Sequence, residues 1–295
     1  MLSYALVTAA VLMFGVQFWF NERYGKESGN GMGATFLFSL IGGIIGVIAL
    51  MLINGPRLEA TPFTLLIATL SALNSIAYTF CSLKAFARVN LSLYSLFAML
   101  GGMLLPFLQG ILFYEEPITL AKGICVLFIV ASLLLGISKS ERKGGAIYLT
   151  GVFVLNGMSG VLTKIFQASP LDKTSDAMYS VWGAAIRTLI AGAVILMMLL
   201  IGRKSPKDTF SVPKPTAKAL LYASGCGALN NLANFLLLLA LAVLPTSVQY
   251  PFVTGGVMIG STVISACTGS KPSKKEILAV ALAFVGILAL VWIPI

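Results

Sequence analysis

An all-α integral membrane protein, with ten transmembrane helices arranged as two inverted five-helix repeats, is the fold class this sequence predicts. Three observations carry the prediction. Hydrophobic residues make up 58% of the chain against 10% charged, at a mean hydropathy of +0.95, which leaves too little polar side chain to cover a water-soluble surface. The 295 residues divide into ten apolar segments of about 20 residues, the length that crosses a hydrocarbon core of about 30 Å. Finally, Ala72-Leu73-Asn74 returns 156 positions later as Ala228-Leu229-Asn230, and Tyr94 returns at the same offset as Tyr250.

Helix 1 is expected over about Leu2–Phe20, closing on the aromatic cluster Phe18-Trp19-Phe20, and Asn21–Asn30 then reads as a polar loop. The amino terminus has no basic stretch followed by a cleavage site, so this segment reads as a retained span rather than a signal peptide. Helix 2 (about Met32–Ile53) carries Gly42, Gly43 and Gly46, a face that admits a close neighbour, and Asn54-Gly55-Pro56 stops it. Helix 3 (about Pro62–Phe86) carries Asn74 and Tyr78 on one face. Helix 4 (about Ser92–Phe113) holds Tyr94, the pair Gly101-Gly102 and Pro106, which is expected to kink or break it. Helix 5 runs over about Ile118–Ile137.

Residues 139–145, a short charged and glycine-containing linker, divide the chain into a first repeat of residues 1–138 and a second of residues 146–295. Helix 6 (about Ala146–Phe166) carries Asn156 and Ser159; helix 7 (about Met178–Ile201) holds Arg187. Helices 8, 9 and 10 follow at about Lys218–Val243, Ser247–Thr268 and Lys275–Ile293. With a slip of two residues Gly101-Gly102 falls on Gly255-Gly256, and with a slip of one Glu116-Pro117 falls on Lys271-Pro272. Five spans per half turn the second copy upside down, an inverted repeat that places a transporter's site near the bilayer midplane between the copies.

Charge fixes an orientation. With ten spans, the loops after helices 1, 3, 5, 7 and 9 and their flanks hold Arg23, Lys26, Lys84, Arg88, Lys139, Arg142, Lys143, Arg203, Lys204, Lys207, Lys214, Lys218, Lys271, Lys274 and Lys275, against Arg57, Lys122 and Lys173 on the other side. The odd loops are therefore expected in the cytoplasm and both termini outside the plasma (inner) membrane. The net charge of +10 belongs to anionic headgroups rather than to nucleic acid.

Several chemistries are disfavoured. There is no histidine, the commonest general base and metal ligand. Cys81, Cys125, Cys226 and Cys267 stand singly, without the spacing of a metal site or a disulfide framework. The sequence therefore predicts no enzyme, no metal and no cofactor. All ten acidic residues fall in loops or at helix ends, with Glu22 an exception only if helix 1 runs a turn further. That removes the membrane-embedded carboxylate of a cation antiporter and leaves facilitated diffusion or exchange as the simplest energetics.

The candidate substrate-binding residues are the polar groups left inside spans. Arg187, nine residues into helix 7, lies where a charge costs a few kcal/mol, and its planar guanidinium grips carboxylate or phosphate in a two-pronged fashion. Asn230, Asn231 and Asn234 of helix 8 face Gln249 and Tyr250 of helix 9 across an apolar hairpin, Gly225–Gly269. Asn74, Tyr78 and Tyr94 form the matching wall in the first half, and Gln17, Asn156 and Ser159 add groups from helices 1 and 6. Under the 156-residue offset Asn231, Asn234 and Gln249 fall on Ser75, Tyr78 and Leu93, so the second half is expected to carry more of the polar recognition. Gly101, Gly102, Pro106, Gly255 and Gly256 are expected hinge or close-packing points.

The five-plus-five plan resembles the ten-helix, EamA-like branch of the drug/metabolite transporter superfamily. Ser92–Gly136 carries the resemblance, with its tyrosine-bearing helix 4, its glycine pair and Phe113-Tyr114-Glu115-Glu116-Pro117-Ile118-Thr119 before an apolar helix 5; Tyr114-Glu115 stands where Gly-Glu is more usual. The resemblance implies alternating-access transport of a small organic solute through a cavity between the halves. It does not name the solute, and it departs on orientation, since most such proteins keep their termini in the cytoplasm. The residues point to an anionic or zwitterionic metabolite such as an amino acid. The alternatives are an exporter of hydrophobic cations or drugs, and a non-transporting membrane assembly factor. The expected partners are the small-molecule substrate and the lipid bilayer, with no nucleic acid and the chain a monomer or homodimer.

Overall fold

The computed structural model describes residues 2–55, 58–114, 119–136, 144–202, 211–241, 246–268 and 272–292. Among them are ten α-helices: α1 (Leu2–Ser28), α2 (Met32–Asn54), α3 (Pro62–Phe86), α4 (Leu91–Phe113), α5 (Leu120–Gly136), α6 (Ala146–Ala168), α7 (Asp176–Gly202), α8 (Ala217–Leu241), α9 (Thr246–Cys267) and α10 (Lys274–Trp292). All but one follow the expected limits to within the one or two residues by which helix ends are assigned. The linker at 139–143 and the Glu116-Pro117 and Lys271 turns lie outside the described residues.

The exception is α1, which continues two turns past Phe20 to Ser28. Polarity ends the hydrocarbon-facing stretch there but not the helix. Glu22 pairs with Lys26 at 2.5 Å, an i,i+4 ion pair in the favourable order with the acid first. Arg23 lies over Trp19, also four residues back, and Gly29 stops the helix at φ +79°, a conformation that suits glycine. Glu22, expected in a loop, is therefore a buried helical residue, 3% exposed.

Six helices are long and apolar enough to cross a membrane by length and composition: α1, α2, α3, α4, α6 and α7. Shorter apolar stretches, Gly123–Leu135 and Phe252–Cys267, lie within α5 and α9. Large apolar side chains point outward from several helices, among them Leu127, Leu134, Leu189 and Leu196. Such continuous apolar outer faces fit a multi-pass membrane protein, whose helices satisfy their own backbone groups in lipid.

The main packing joins early helices to late ones. α1 packs on α8 and α9, α6 on α3 and α4, α2 on α7 and α8, α3 on α7, α4 on α9, and α5 on α10. One consequence corrects the expected hairpin: among the described residues α8 and α9 scarcely touch, because α1 sits between them, as α6 sits between α3 and α4.

Contacts at the helix ends sort the loops. At one end Thr216 donates to Glu27 (2.9 Å), Asn90 donates to Glu276 (2.8 Å), and Arg88 covers the Tyr148 ring at 4.8 Å. At the other, Thr61 donates to the Asp172 carbonyl (3.0 Å), Trp182 to the Glu59 carbonyl (2.8 Å), and Lys164 covers the Tyr114 ring at 4.9 Å. The first set joins segments that flank odd-numbered loops and the second joins segments that flank even-numbered ones, so these helices alternate in direction along the chain.

α4 and α6 cross with their backbones close together. A Cβ on Gly101 would lie 2.1 Å from the Phe153 carbonyl oxygen, and one on Gly157 would lie 2.6 Å from that of Gly101. The absence of side chains at both positions is what lets these two backbones meet. α4 runs unbroken through Pro106, whose ring lies against Gly160.

Candidate functional site

Arg187 projects from the first half of α7 into the space between α2, α3 and α8. Its Nη1 donates to Ser75 Oγ on α3 at 3.0 Å. On α2, a Cβ added to Gly46 would sit 3.7 Å from Arg187 Nη2 and 3.5 Å from Asn231 Nδ2, which places the guanidinium and the α8 amide beside one stretch of α2 backbone. Cys226, one turn back from Asn230 on α8, interacts with Gln17 of α1 and lies within electrostatic reach of Arg187, Tyr78 and Tyr94. Groups from α2, α3 and α8 thus surround the positive group of α7, with Gln17 of α1 reaching them through Cys226.

No carboxylate answers that charge: among the described residues the only ion pair is Lys26 with Glu22, at the end of α1. Arg187 Nε and Gln17 Oε1 are buried without a hydrogen-bond partner. Buried polar groups in folded proteins are almost always paired, so two orphans in one cluster mark a place prepared for polar atoms that the chain does not supply. Arg187 Nε is a donor that suits an oxyanion, and Gln17 Oε1 is an acceptor that suits an N–H or O–H group. Among the described residues no group of three His, Cys, Asp or Glu side chains is placed to hold a metal ion.

The other candidate residues are distributed around this point. Tyr94 is fully buried; its hydroxyl is 2.7 Å from Tyr78 Oη and 2.8 Å from Ser82 Oγ, and its ring packs on Phe86 and Phe18 at 3.9 and 5.3 Å. It ties α3 to α4 and supports the cluster from behind. Replacing Tyr94 by Phe should lower stability by about 1–2 kcal/mol, since two buried partners lose their bond; denaturant or thermal unfolding in detergent measures this.

Asn74 and Asn156 join α3 and α4 to α6. Asn74 Nδ2 donates to the Leu155 carbonyl and to Ser159 Oγ, both at 2.9 Å, and Asn156 Nδ2 donates to the Ala98 carbonyl at 2.6 Å beside Gly102. Asn231 Nδ2 returns to the Gly227 carbonyl (2.7 Å), and Asn234, exposed, to that of Asn230 (2.7 Å). The side chains of Gln249 and Tyr250 lie outside the described residues. Of the expected set, then, Gln17, Tyr78 and Asn231 gather near Arg187, while Asn74, Asn156 and Ser159 form an interhelical seam.

Sequence reasoning passed over Ser75, Gly46 and Cys226 as site residues. A signal for Ser75 was present: it is the position that the 156-residue offset pairs with Asn231; Ser75 accepts from Arg187, and Asn231 shares Gly46 as a neighbour with it.

Two aromatic clusters lie at opposite ends of the bundle, with Arg187 between. One joins Tyr24 at the end of α1, Phe38 near the start of α2 and Tyr222 near the start of α8, around Leu83, Ala219 and Ala223. The other joins Phe166 at the end of α6, Tyr179 and Trp182 at the start of α7 and Phe63 at the start of α3. In the second the Phe166 ring stacks between Phe63 and Tyr179, at 6.0 and 4.4 Å.

No family model matches the chain, and no curated protein does. One solved crystal structure of a protein is similar at a TM-score of 0.60 and 15% identity, over 97% of this chain and 96% of that one. At that identity the likeness is one of fold, and it extends along the whole chain.

Proposed function

We propose that this chain is an alternating-access membrane transporter of a small organic anion or zwitterion, an amino acid being the simplest fit, and not an enzyme. The observation that carries the proposal is the Arg187 guanidinium, set among α2, α3 and α8 with a buried unpartnered Nε and, among the described residues, no ion pair to a carboxylate. A charge held in that way within a span has use for a ligand of opposite sign.

The helix contacts support a pair of inverted repeats of five spans each. Exchanging the halves turns the α1–α8 contact into α6–α3, α1–α9 into α6–α4 and α2–α8 into α7–α3; α2–α7, α4–α9 and α5–α10 map onto themselves. The same exchange carries the Tyr24–Phe38–Tyr222 cluster onto Phe166–Tyr179–Phe63. Each end of the bundle thereby gains an equivalent plug, and opening one while the other stays shut exposes the midpoint to one side at a time. This is the behaviour that the resemblance to the drug/metabolite transporter superfamily implies.

A central cation without a carboxylate disfavours the export of hydrophobic cations, which Arg187 would repel. Thermal unfolding of the detergent-purified protein against amino acids, small carboxylates and quaternary amines separates the readings. The carboxylate-bearing compounds should raise the melting temperature and then drive counterflow in proteoliposomes; stabilisation by quaternary amines alone would overturn the proposal.

Orientation follows from the charges. The end that holds Glu27, Asn90 and Glu276 also holds the odd loops with most of the lysine and arginine, and we place it in the cytoplasm of a plasma (inner) membrane, with both termini outside. A periplasm-dependent reporter fused to the carboxyl terminus should be active, and a cytoplasm-dependent one silent. The reverse result would invert the assignment.

A further inference from the structure

We infer that the cleft at the basic end of α1, between α8 and α9, binds the phosphodiester of an anionic membrane lipid. Trp19 Nε1 and Arg23 Nε are both buried, both donors, and neither has a hydrogen-bond partner. They are four residues apart on one helix face, with the Arg23 guanidinium carbon 5.3 Å from the centre of the Trp19 ring. Two orphaned donors side by side require an acceptor. The acids at this end are already engaged, Glu22 by Lys26 and Glu27 by Thr216. Asn21, whose Oδ1 is buried and unpaired, is two residues from each and projects from the other side of the helix.

The cleft has defined walls. Trp19 meets the Tyr222 ring of α8 at 6.3 Å, and Lys218, exposed one turn before Tyr222, adds a second cation to that face. One turn before Trp19, Gly15 lies against Ile264 of α9. α8 and α9 diverge around α1, and Trp19 with Arg23 over its ring stands on the part of α1 that meets α8.

A phosphodiester fits this chemistry. Its two free oxygens accept from an indole N–H and a guanidinium together, and its single negative charge offsets Arg23. The site lies where an apolar span ends in aromatic side chains, at headgroup depth, in the half of the bilayer that carries the anionic lipid when the basic end is cytoplasmic. A choline headgroup would bring its own cation against Arg23 and Lys218 and is disfavoured.

The test uses the full chain in detergent, with native mass spectrometry and thermal unfolding read as phosphatidylglycerol, phosphatidylcholine or inorganic phosphate is added. Phosphatidylglycerol should stay bound and raise the melting temperature. Arg23→Gln should weaken that binding about tenfold, and Trp19→Phe, which keeps the ring and loses the N–H, by a smaller factor. Lys274→Gln, which removes an exposed charge from α10 at the same end, should leave it unchanged. Equal retention by the wild type and both α1 variants, equal stabilisation by phosphatidylcholine, or full stabilisation by inorganic phosphate alone would overturn the lipid assignment. Should Arg23→Gln fail to fold, Trp19→Phe decides.

Discussion

Replacing Arg187 by Gln should reduce transport by about one to two orders of magnitude and, in the same protein, raise the melting temperature. The first effect follows from losing a charge-assisted, two-pronged contact with the substrate's acid group, worth about 1.5–3 kcal/mol, where each 1.4 kcal/mol is about tenfold. The second follows from geometry. Arg187 has one hydrogen bond to a neutral hydroxyl, an orphaned Nε and no ion pair among the described residues, so the fold bears its desolvation cost with little return. Gln keeps a donor for Ser75 Oγ and removes the charge. Initial-rate counterflow in proteoliposomes and a melting curve on the same preparation read both. Were Arg187 a structural pair instead, both quantities would fall together, and that outcome would sink its role as the substrate's anchor. Arg187→Lys should recover part of the rate, since the charge returns without the planar fork.

The contrast bears on how transport here would be coupled. Expectation placed every acid outside the spans, yet the extension of α1 buries Glu22. The lysine one turn on neutralises it at 2.5 Å, so the pair brings no net charge into the bundle. Exchange or facilitated diffusion therefore remains the simplest energetics for the proposed transporter.

Element positions were legible because hydropathy over about 20 residues reports on a solvent, and the hydrocarbon sets the length of what crosses it. The end of α1 was not, because hydropathy does not see the Glu22–Lys26 and Trp19–Arg23 pairs that continue a helix into water. Roles of amides were legible only in part. Asn74 and Asn231 look alike in sequence, but Asn74 donates to the Leu155 carbonyl of another helix, whereas Asn231 donates to the Gly227 carbonyl of its own helix and lies beside Gly46 of α2. Which backbone an amide faces depends on helix crossings that no local pattern encodes. The divergence of α8 and α9 was hidden for the same reason: adjacency in the chain suggested a packed hairpin, whereas α1 lies between its legs.

The glycine pairs had been given one role, hinge or close packing, and their neighbours now separate them. At Gly101 an added Cβ would meet the Phe153 carbonyl oxygen at 2.1 Å and its backbone carbon at 2.7 Å; backbone of a packed helix cannot step aside without moving the helix. At Gly256 the obstacle is the side chain of Val11, at 2.9 Å, and at Gly255 it is the ring of Phe284, at 2.6 Å, so at both positions side chain rather than backbone must give. Gly101→Ala should therefore force α4 and α6 apart and cost about 3 kcal/mol or more, beyond ordinary overpacking, with most of the protein lost from the membrane fraction. Gly256→Ala should cost about 1 kcal/mol, and Gly260→Ala, with nothing within 4 Å, should be neutral or slightly stabilising through its gain in helix propensity. Unfolding midpoints in detergent for the three variants test the ranking. If Gly101→Ala proved as mild as Gly256→Ala, the α4–α6 crossing would have to be a sliding contact rather than one fixed by backbone against backbone.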